Sequence, residues 1–477
     1  MIATRCLPFF NFRQTNKPVI IFVWLFTAML LLFVSGMMGG WTSPYLAQLT
    51  AEDSPIPITS DEASWMASLL NLGRLLGAVP GAVSVYYLGS KKTLILNNVP
   101  SIIGWVCIIM ADSVGWLYVA RLVSGMSLGM SFSSFPLYLG EISDPSIRGG
   151  LVTLATTGLP VGVLAGNFIG AYVSMSTFAY ISLIPTAVCI LLLSWMPESP
   201  HHLVRINNIQ EAMNSLARYN PGMNVETELM SLQDFISASK SVTLADKFRE
   251  FNIPQNRKAG IIVVVLYLFM QLSGINSILF YIEIILTDGG LTVIEPATMV
   301  IIGAVVGIIS GLVAVYLADK FGRRTLLIAS SIGVAASMAM LGAHFAFLES
   351  GFDPAGLQWI LISSVLLYEV FVFMGLCPVP SIVLSELFAP NIKSIAACFG
   401  GISVGLFSFF STKTYQPMLD LMGESYVFWI YGGSMVTAVI FALTVMPETK
   451  GKSLQEIQRI LHKKKDTVNF NYPIASR

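Results

Sequence analysis

Residues 319–325 read DKFGRRT, and they closely follow an apolar run, 295–317, that is long enough to cross a membrane as a helix. A similar stretch, LGSKKT at 88–93, follows the apolar run 63–87. In both places two basic residues come shortly after a glycine at the end of a span. The same signature at corresponding positions in two parts of the chain indicates an internal repeat.

Two further pairs of positions support this repeat. Glu141 precedes Arg148 by seven residues, and Glu386 precedes Lys393 by the same distance. A Pro-Glu-Ser/Thr motif closes each half, at 197–199 and 447–449. Parallel repeats of six spans are typical of carriers that rock two halves around a site near the bilayer midplane.

Composition places most of the chain in a membrane. Apolar residues make up 55% of its 477 residues and charged residues only 11%, against about a quarter in soluble domains. The sequence therefore predicts an all-α membrane protein of twelve spans in two six-helix halves. The predicted spans are 18–40, 63–87, 94–111, 115–139, 151–173, 177–195, 259–286, 295–317, 325–347, 357–384, 394–415 and 425–446.

Basic residues fall on one side of this membrane region. With connections assigned alternately to the two sides, every Lys and Arg outside the spans lies on the side of the termini, and the opposite loops carry acidic residues. Because cytoplasmic loops retain Lys and Arg, that side is predicted to be cytoplasmic. The predicted divisions are a cytoplasmic N-terminus 1–17, a first half 18–195, a cytoplasmic linker 196–258 with short amphipathic helices, a second half 259–446 and a cytoplasmic tail 447–477.

Several function classes find no support. The formal net charge of zero argues against a nucleic-acid partner. The five cysteines show no paired spacing, and no phosphate-binding loop or metal-ligand cluster is visible. No nucleophile–base pair emerges, although one assembled in space would escape such a search. We therefore expect no cofactor, no metal and no enzyme activity.

The repeated charges at the cytoplasmic span ends are predicted to form an inner gate. Ion pairs across these ends would stabilise the outward-open state and separate when the carrier opens inward. The alternative is that they are solvated loop charges that only set topology. The predicted inner-gate charges are Glu141, Arg148, Asp319, Arg323, Arg324, Glu386 and Lys393.

An ordered set of motifs links the chain to a known family. The motifs are GWTSP at 40–44, R-x3-G-x3-G at 121–129, P-x-Y-x2-E-x6-R-G at 136–149, PESP at 197–200, QLSGIN at 271–276, D-x2-GRR at 319–324 and PETKGKSL at 447–454. With them the chain resembles the sugar-porter branch of the major facilitator superfamily over roughly residues 18–460, and it looks most like the insect facilitated trehalose transporter-like members.

The resemblance implies sugar transport by alternating access, with sugar hydroxyls bound by amides of the seventh span. Gln271 and Asn276 fit this role, because uncharged polyols need paired donors and acceptors to offset lost hydration. Five residues correspond to about 140° around a helix, so the two amides share a site only if the helix unwinds near Gly274. The expected substrate contacts are Gln271, Asn276, Thr156 and Ser277, with Phe280 and Tyr281 as the outer gate.

Several sugar-contacting positions of the family are altered in this chain. Met270 replaces the first Gln of a Gln-Gln pair, Thr156 a fifth-span Gln, and Gly307 an eighth-span Asn. Ser381 replaces a Trp of the tenth span, and Gly405 one of the eleventh. Fewer amides and no indole leave three possibilities open, which are a sugar such as trehalose or a hexose, another small solute, and a sensor that does not transport.

The first-half gate also departs from the family pattern. Tyr86 and Ser90 stand where an Asp and an Arg are expected, although Lys91 keeps one positive charge. We therefore expect a weaker inner gate in the first half than in the second. His201 and His202 replace an Arg and an aromatic residue, and we interpret them as tolerated surface changes.

The ionisable residues within the spans bear on coupling and substrate. Met37 stands where proton-coupled relatives carry an Asp, so uniport is the simpler expectation. Arg121 matches a family position and is predicted to be structural. Arg74, Glu283 and Glu369 are unexpected. Arg74 is interpreted as paired with a carboxylate or snorkelling, with recognition of an anionic solute as the alternative, and Glu369 is available for a cation.

These observations lead to one overall expectation. The chain is predicted to be a facilitative sugar transporter of the plasma membrane, multi-pass, with both termini cytoplasmic. Its partners would be a small sugar and the lipid bilayer, and it would function as a monomer.

Overall fold

The structure is a computed structural model that describes residues 18–142, 151, 154–219, 224–240, 249–388, 392–452, 456–457 and 460. The predicted N-terminus 1–17, Arg148 and most of the tail lie outside the described residues. The described chain is helical, with no strand in these ranges.

Six spans form the first half. The first span continues, after a turn at Trp41, into a short helix. Proline lies inside the second, third, fourth and sixth spans. The helices are Pro18–Gly40 with Thr42–Thr50, Ser60–Leu88, Ser90–Ile109, Val114–Ile142, Gly158–Tyr172 and Met175–Trp195.

The described part of the linker between the halves contains three helices. Leu203, Ala212, Leu216 and Leu232 are buried together in a small apolar cluster of their own. This cluster gives the linker a packed core outside the membrane spans. The helices are Pro200–Arg205, Ile209–Tyr219 and Val225–Lys240.

The second half repeats the arrangement with two interruptions. The seventh span is broken near Gly274, and the tenth contains a π-helical turn, Val372–Leu376. The helices are Pro254–Leu272 with Ile275–Asp288, Pro296–Phe321, Arg323–Glu349, Pro354–Phe371 with Pro378–Leu387, and Lys393–Thr444.

The described helices supply the twelve predicted spans. Within the described residues, ten stretches are long and apolar enough to cross a membrane. One of them, Ile395–Thr444, has 50 residues, or about 75 Å of helix, and Gly423 (φ 79°) divides it into the eleventh and twelfth spans. Val114–Ile142 is not among the ten because its serines, glycines and Arg121 lower its hydropathy, yet its 29 residues pack along the second and third spans.

Glycines let helices of the first half approach closely. A Cβ on Gly73 of the second span would lie 2.1 Å from the Leu122 carbonyl oxygen of the fourth. A Cβ on Gly36 of the first span would lie 2.2 Å from the Leu159 carbonyl oxygen of the fifth. Such small-residue contacts are the usual way to pack membrane helices, because lipid provides little hydrophobic drive for association.

The two halves are joined at one surface of the membrane domain. We call the surface with Leu88 and Phe321 the basic face, and the opposite surface, with Asp61, the acidic face. Lys413 Nζ of the eleventh span lies 2.8 Å from Asp61 Oδ1 of the second. Ser64 Oγ donates to the Lys413 carbonyl at 3.2 Å. These contacts close the carrier on the acidic face.

Candidate functional site

The seventh span breaks where the sequence predicted that it would unwind. Its first helix ends at Leu272, and its second begins at Ile275. Gly274 between them is left-handed, with φ 80° and ψ 13°, a conformation that glycine adopts at little cost. A Cβ there would also lie 2.6 Å from the Tyr431 ring. Both the backbone and the packing therefore require glycine.

The break brings the two predicted amides together. Asn276 Nδ2 donates to Gln271 Oε1 at 2.5 Å, although an unbroken helix would point the two side chains apart. The Gln271 backbone carbonyl accepts from Ser411 Oγ at 3.1 Å, which fixes the break against the eleventh span. No partner among the described residues is seen for Gln271 Nε2 or Asn276 Oδ1. The pair therefore retains one donor and one acceptor for a ligand.

The other two predicted contacts lie in different surroundings. Ser277 is fully buried, donates to the Ser411 carbonyl at 3.1 Å and accepts from the Tyr431 hydroxyl at 3.3 Å. Its hydroxyl thus joins the seventh, eleventh and twelfth spans. Thr156 lies at the start of the fifth span, which extends over Leu154–Tyr172, and its side chain is exposed.

The predicted outer-gate aromatics are buried where the halves meet. Phe280 and Tyr281 belong to the helix Ile275–Asp288, which packs against Thr42–Thr50 of the other half. The rings of Tyr281 and Tyr415 lie 4.8 Å apart. The segment beyond the Gly274 break therefore forms part of the seal on the acidic face.

Most of the predicted gate charges of the second half form a cluster on the basic face. Arg323 Nη2 lies 3.0 Å from Asp319 Oδ1 and 2.9 Å from Glu386 Oε1. Arg324 donates instead to the Leu443 carbonyl. Lys393 is exposed at the start of the eleventh span. These described pairs stay within one half, so pairing across the halves remains a prediction for the opposite conformation.

The first-half cluster uses other groups. Glu141 Oε2 accepts from Ser90 Oγ at 2.6 Å. A hydroxyl group thus contacts this carboxylate at the position where the family pattern has an Arg. Arg205 Nη2 donates to the Tyr86 carbonyl at 2.5 Å and lies 3.1 Å from His202 Nδ1. Sequence analysis missed Arg205, which lies outside the repeated motifs and reaches the end of the second span only in three dimensions.

The intramembrane arginines differ in their partners. Arg121 donates to the carbonyls of Met38 at 2.8 Å and Met66 at 3.3 Å, which ties the first, second and fourth spans together. The guanidinium of Arg74 lies 4.6 Å from the centre of the Phe132 ring. No carboxylate pairs with Arg74 in the described part of the chain, so the ion-pair interpretation finds no support there.

Two repeated halves, a broken central span and a polar site at the break define a carrier of the major facilitator fold. The model of the sugar (and other) transporter family matches residues 20–461, and the chain belongs to that family. It is 32% identical over 424 residues to the facilitated trehalose transporter Tret1 of Bombyx mori, covering 89% of this chain and 83% of that one. Identity to Tret1 of Polypedilum vanderplanki is 30% over 454 residues, covering 94% and 90%.

Solved structures support the fold. The inward-open xylose transporter XylE from E. coli is 22% identical, with a TM-score of 0.77 over 92% of this chain and 99% of that one. The proton:xylose symporter XylE bound to 6-bromo-6-deoxy-D-glucose is also 22% identical, with a TM-score of 0.73 over 93% and 100%. At this identity the likeness extends to the fold alone.

Proposed function

We propose that this chain carries a neutral sugar, trehalose or a hexose, down its gradient across the plasma membrane. The single observation that carries the proposal is the Gln271–Asn276 pair at the broken seventh span. Sugar hydroxyls each donate and accept, and the pair offers Gln271 Nε2 as a donor and Asn276 Oδ1 as an acceptor. The trehalose transporters among its relatives support this class of substrate.

The proposed transport mechanism is the alternate opening of the acidic and basic faces. In the conformation described, the seal of Ile275–Asp288 against Thr42–Thr50 closes the acidic face. Rocking of the halves would break this seal and the Asp61–Lys413 pair, and it would bring the charge clusters of the basic face together. We assign the basic face to the cytoplasm, because Lys and Arg concentrate there, and expect a single chain to complete the cycle without enzyme activity.

Uptake into proteoliposomes tests the proposal. Radiolabelled trehalose and glucose should enter saturably, and the final level should not exceed equilibrium when a proton gradient is imposed. Gln271→Ala should lower the affinity for sugar about tenfold, since it removes hydrogen bonds to the ligand. Gln416→Ala, which removes an amide that bonds Asp420 on the acidic face, should leave uptake unchanged. Binding of sugar without flux would indicate a sensor and contradict transport.

A second candidate, transport of an anionic solute, is favoured by Arg74 near the middle of the second span, which has no carboxylate partner among the described residues. An intramembrane cation normally has a partner, and a substrate anion would supply one. In that case an excess of unlabelled trehalose or glucose would not compete with the labelled anion, and Arg74→Gln would abolish uptake. If neutral sugars are carried, Arg74→Gln should alter their uptake much less than Gln271→Ala does.

A further inference from the structure

A second unpaired charge-bearing group lies in the other half of the carrier. Glu369 stands near the middle of the tenth span, which extends from Pro354 to Leu387, and its side chain is 1% exposed. Its Oε2 is buried without a hydrogen-bond partner. Within the described chain no Lys, Arg or His forms an ion pair with it.

Two glycines of the eighth span make room for this carboxyl group. A Cβ on Gly307 would lie 3.0 Å from Glu369 Oε2, and a Cβ on Gly303 would lie 3.5 Å from its Cγ. The ring of Phe373 also covers Gly307, at 2.9 Å from the same Cβ position. Among the described residues, the one titratable group seen to interact with Glu369 is Tyr368, on its own helix. The other neighbours named here, two glycines and a phenylalanine ring, are apolar.

The apolar surroundings limit what can neutralise the charge of the Glu369 carboxylate. An ionised carboxylate without a partner is costly in hydrocarbon. Calcium or magnesium would need several more oxygen ligands, and the described residues contain no group of three or more His, Cys, Asp or Glu that could hold a metal. A proton needs only one carboxylate oxygen. The surroundings therefore favour the protonated form of Glu369 in the conformation that is closed on the acidic face.

A hydrogen bond connects the segment that carries Glu369 to the seal on the acidic face. The hydroxyl of Tyr368 donates to the Ser273 carbonyl at 3.2 Å, at the break of the seventh span. The helix beyond this break, Ile275–Asp288, forms the seal. On the other side of Glu369, the π-helical turn Val372–Leu376 begins three residues along the chain, and such turns often mark functional segments. Opening the seal would therefore strain the hydrogen bond from Tyr368, the residue next to Glu369.

We propose that Glu369 is a proton-binding site that takes its proton from the acidic face as that face closes, keeps it while the face is closed, and releases it to the same face when that face opens and admits water. The pH on the acidic face then sets how readily the carrier opens there. One linked proton shifts the conformational equilibrium by up to about tenfold per pH unit. Because the proton returns to the face it left, sugar still moves down its gradient. The inference goes beyond sugar transport and does not depend on it.

The test measures the conformation of the carrier in the absence of sugar. Spin labels at Glu52→Cys and Leu421→Cys, both on the acidic face and one in each half, report the opening of the seal through their distance in a chain without its native cysteines. Between about pH 5 and about pH 8 the open fraction should rise about tenfold or more. With Glu369→Gln it should stay constant, and with Glu283→Gln, another carboxyl group of a span, it should still rise.

Two results overturn the proposal. One is an open fraction that does not respond to pH in the parent chain, and the other is the same response in the parent and in Glu369→Gln. If Glu369→Gln does not yield monodisperse protein, Glu369→Asp decides the question. Its shorter side chain moves the carboxyl group relative to Gly307, so the midpoint of the pH response should shift, and an unchanged midpoint excludes Glu369.

Discussion

Glu448 Oε1 lies 3.0 Å from the backbone nitrogen of Arg323, at the start of the ninth span. Its Oε2 accepts from the Arg324 nitrogen at 3.1 Å. In the first half, Glu198 Oε1 accepts from the Lys91 nitrogen at 3.2 Å, at the start of the third span. In each half the Glu of the closing Pro-Glu-Ser/Thr motif therefore caps the helix that follows the glycine turn. A carboxylate is favourable there because the first N–H groups of a helix lack partners and carry partial positive charge.

Replacing this cap should destabilise the second half. In Glu448→Gln the charge is lost while the shape is kept, which should cost about 1–3 kcal/mol because four backbone N–H groups bond to this carboxylate. The thermal unfolding midpoint of the purified protein should fall by several degrees. Glu226→Gln, on the exposed surface of the linker, is the control. Equal midpoints for the two variants would contradict the capping role.

The break at Gly274 should tolerate no side chain. Alanine there must adopt φ near 80°, which costs about 1–2 kcal/mol, and its Cβ meets the Tyr431 ring. Gly274→Ala should therefore separate Gln271 from Asn276 and lower sugar uptake about tenfold or more. Gly311→Ala is the matched control, because a Cβ there meets nothing within 4 Å. Wild-type uptake by Gly274→Ala would show that the site does not depend on the break.

The sequence was sufficient to predict the twelve spans and the two halves, because hydropathy is a property of a whole span and the repeated charges mark the span ends. The break at Gly274 was also predictable, since only unwinding there could bring Gln271 and Asn276 together. The capping by Glu198 and Glu448 was not predicted, although both motifs were recognised. A motif shows only that a residue recurs at corresponding positions. Which helix end the Glu of that motif caps depends on the folded structure.

The misjudged residues have a common physical cause. Arg74 was interpreted as paired with a carboxylate or snorkelling, and no carboxylate partner is seen among the described residues. His202 was interpreted as a surface residue, but it is only 6% exposed and packs against Gly89. In both cases the neighbours come from spans or helices that are distant in sequence. Hydropathy periodicity assigns a residue to a helix, but it does not determine which partner reaches it.

Acidification should loosen the first-half cluster through His202. Burial, and then the positive charges of Arg205 and Lys92, lower the pKa of this imidazole, while Glu141 acts in the opposite direction. Because its pKa is below the usual value of 6.5, the unfolded chain binds this proton more readily, so the contribution of His202 to stability is lost as the pH falls below about 6.5. His202→Gln should show a smaller decrease of the unfolding midpoint between about pH 7.5 and about pH 5 than the parent. His201→Gln serves as the control, and the same decrease in the His202 and His201 variants would argue against the assignment.

The Asp61–Lys413 pair should bias the carrier toward closure of the acidic face, because it joins the two halves. Asp61 is 75% exposed, so the pair should contribute no more than about 1 kcal/mol, or about fivefold in the conformational equilibrium. Asp61→Asn and Lys413→Met should each raise the open fraction measured between labels on the acidic face. The charge-exchanged variant, Asp61→Lys with Lys413→Asp, tests the electrostatic origin, since it restores attraction with reversed polarity. If the exchanged variant stays as open as the single variants, the bias arises from packing around Trp65, over which Lys413 also lies at 4.3 Å, and not from the ion pair.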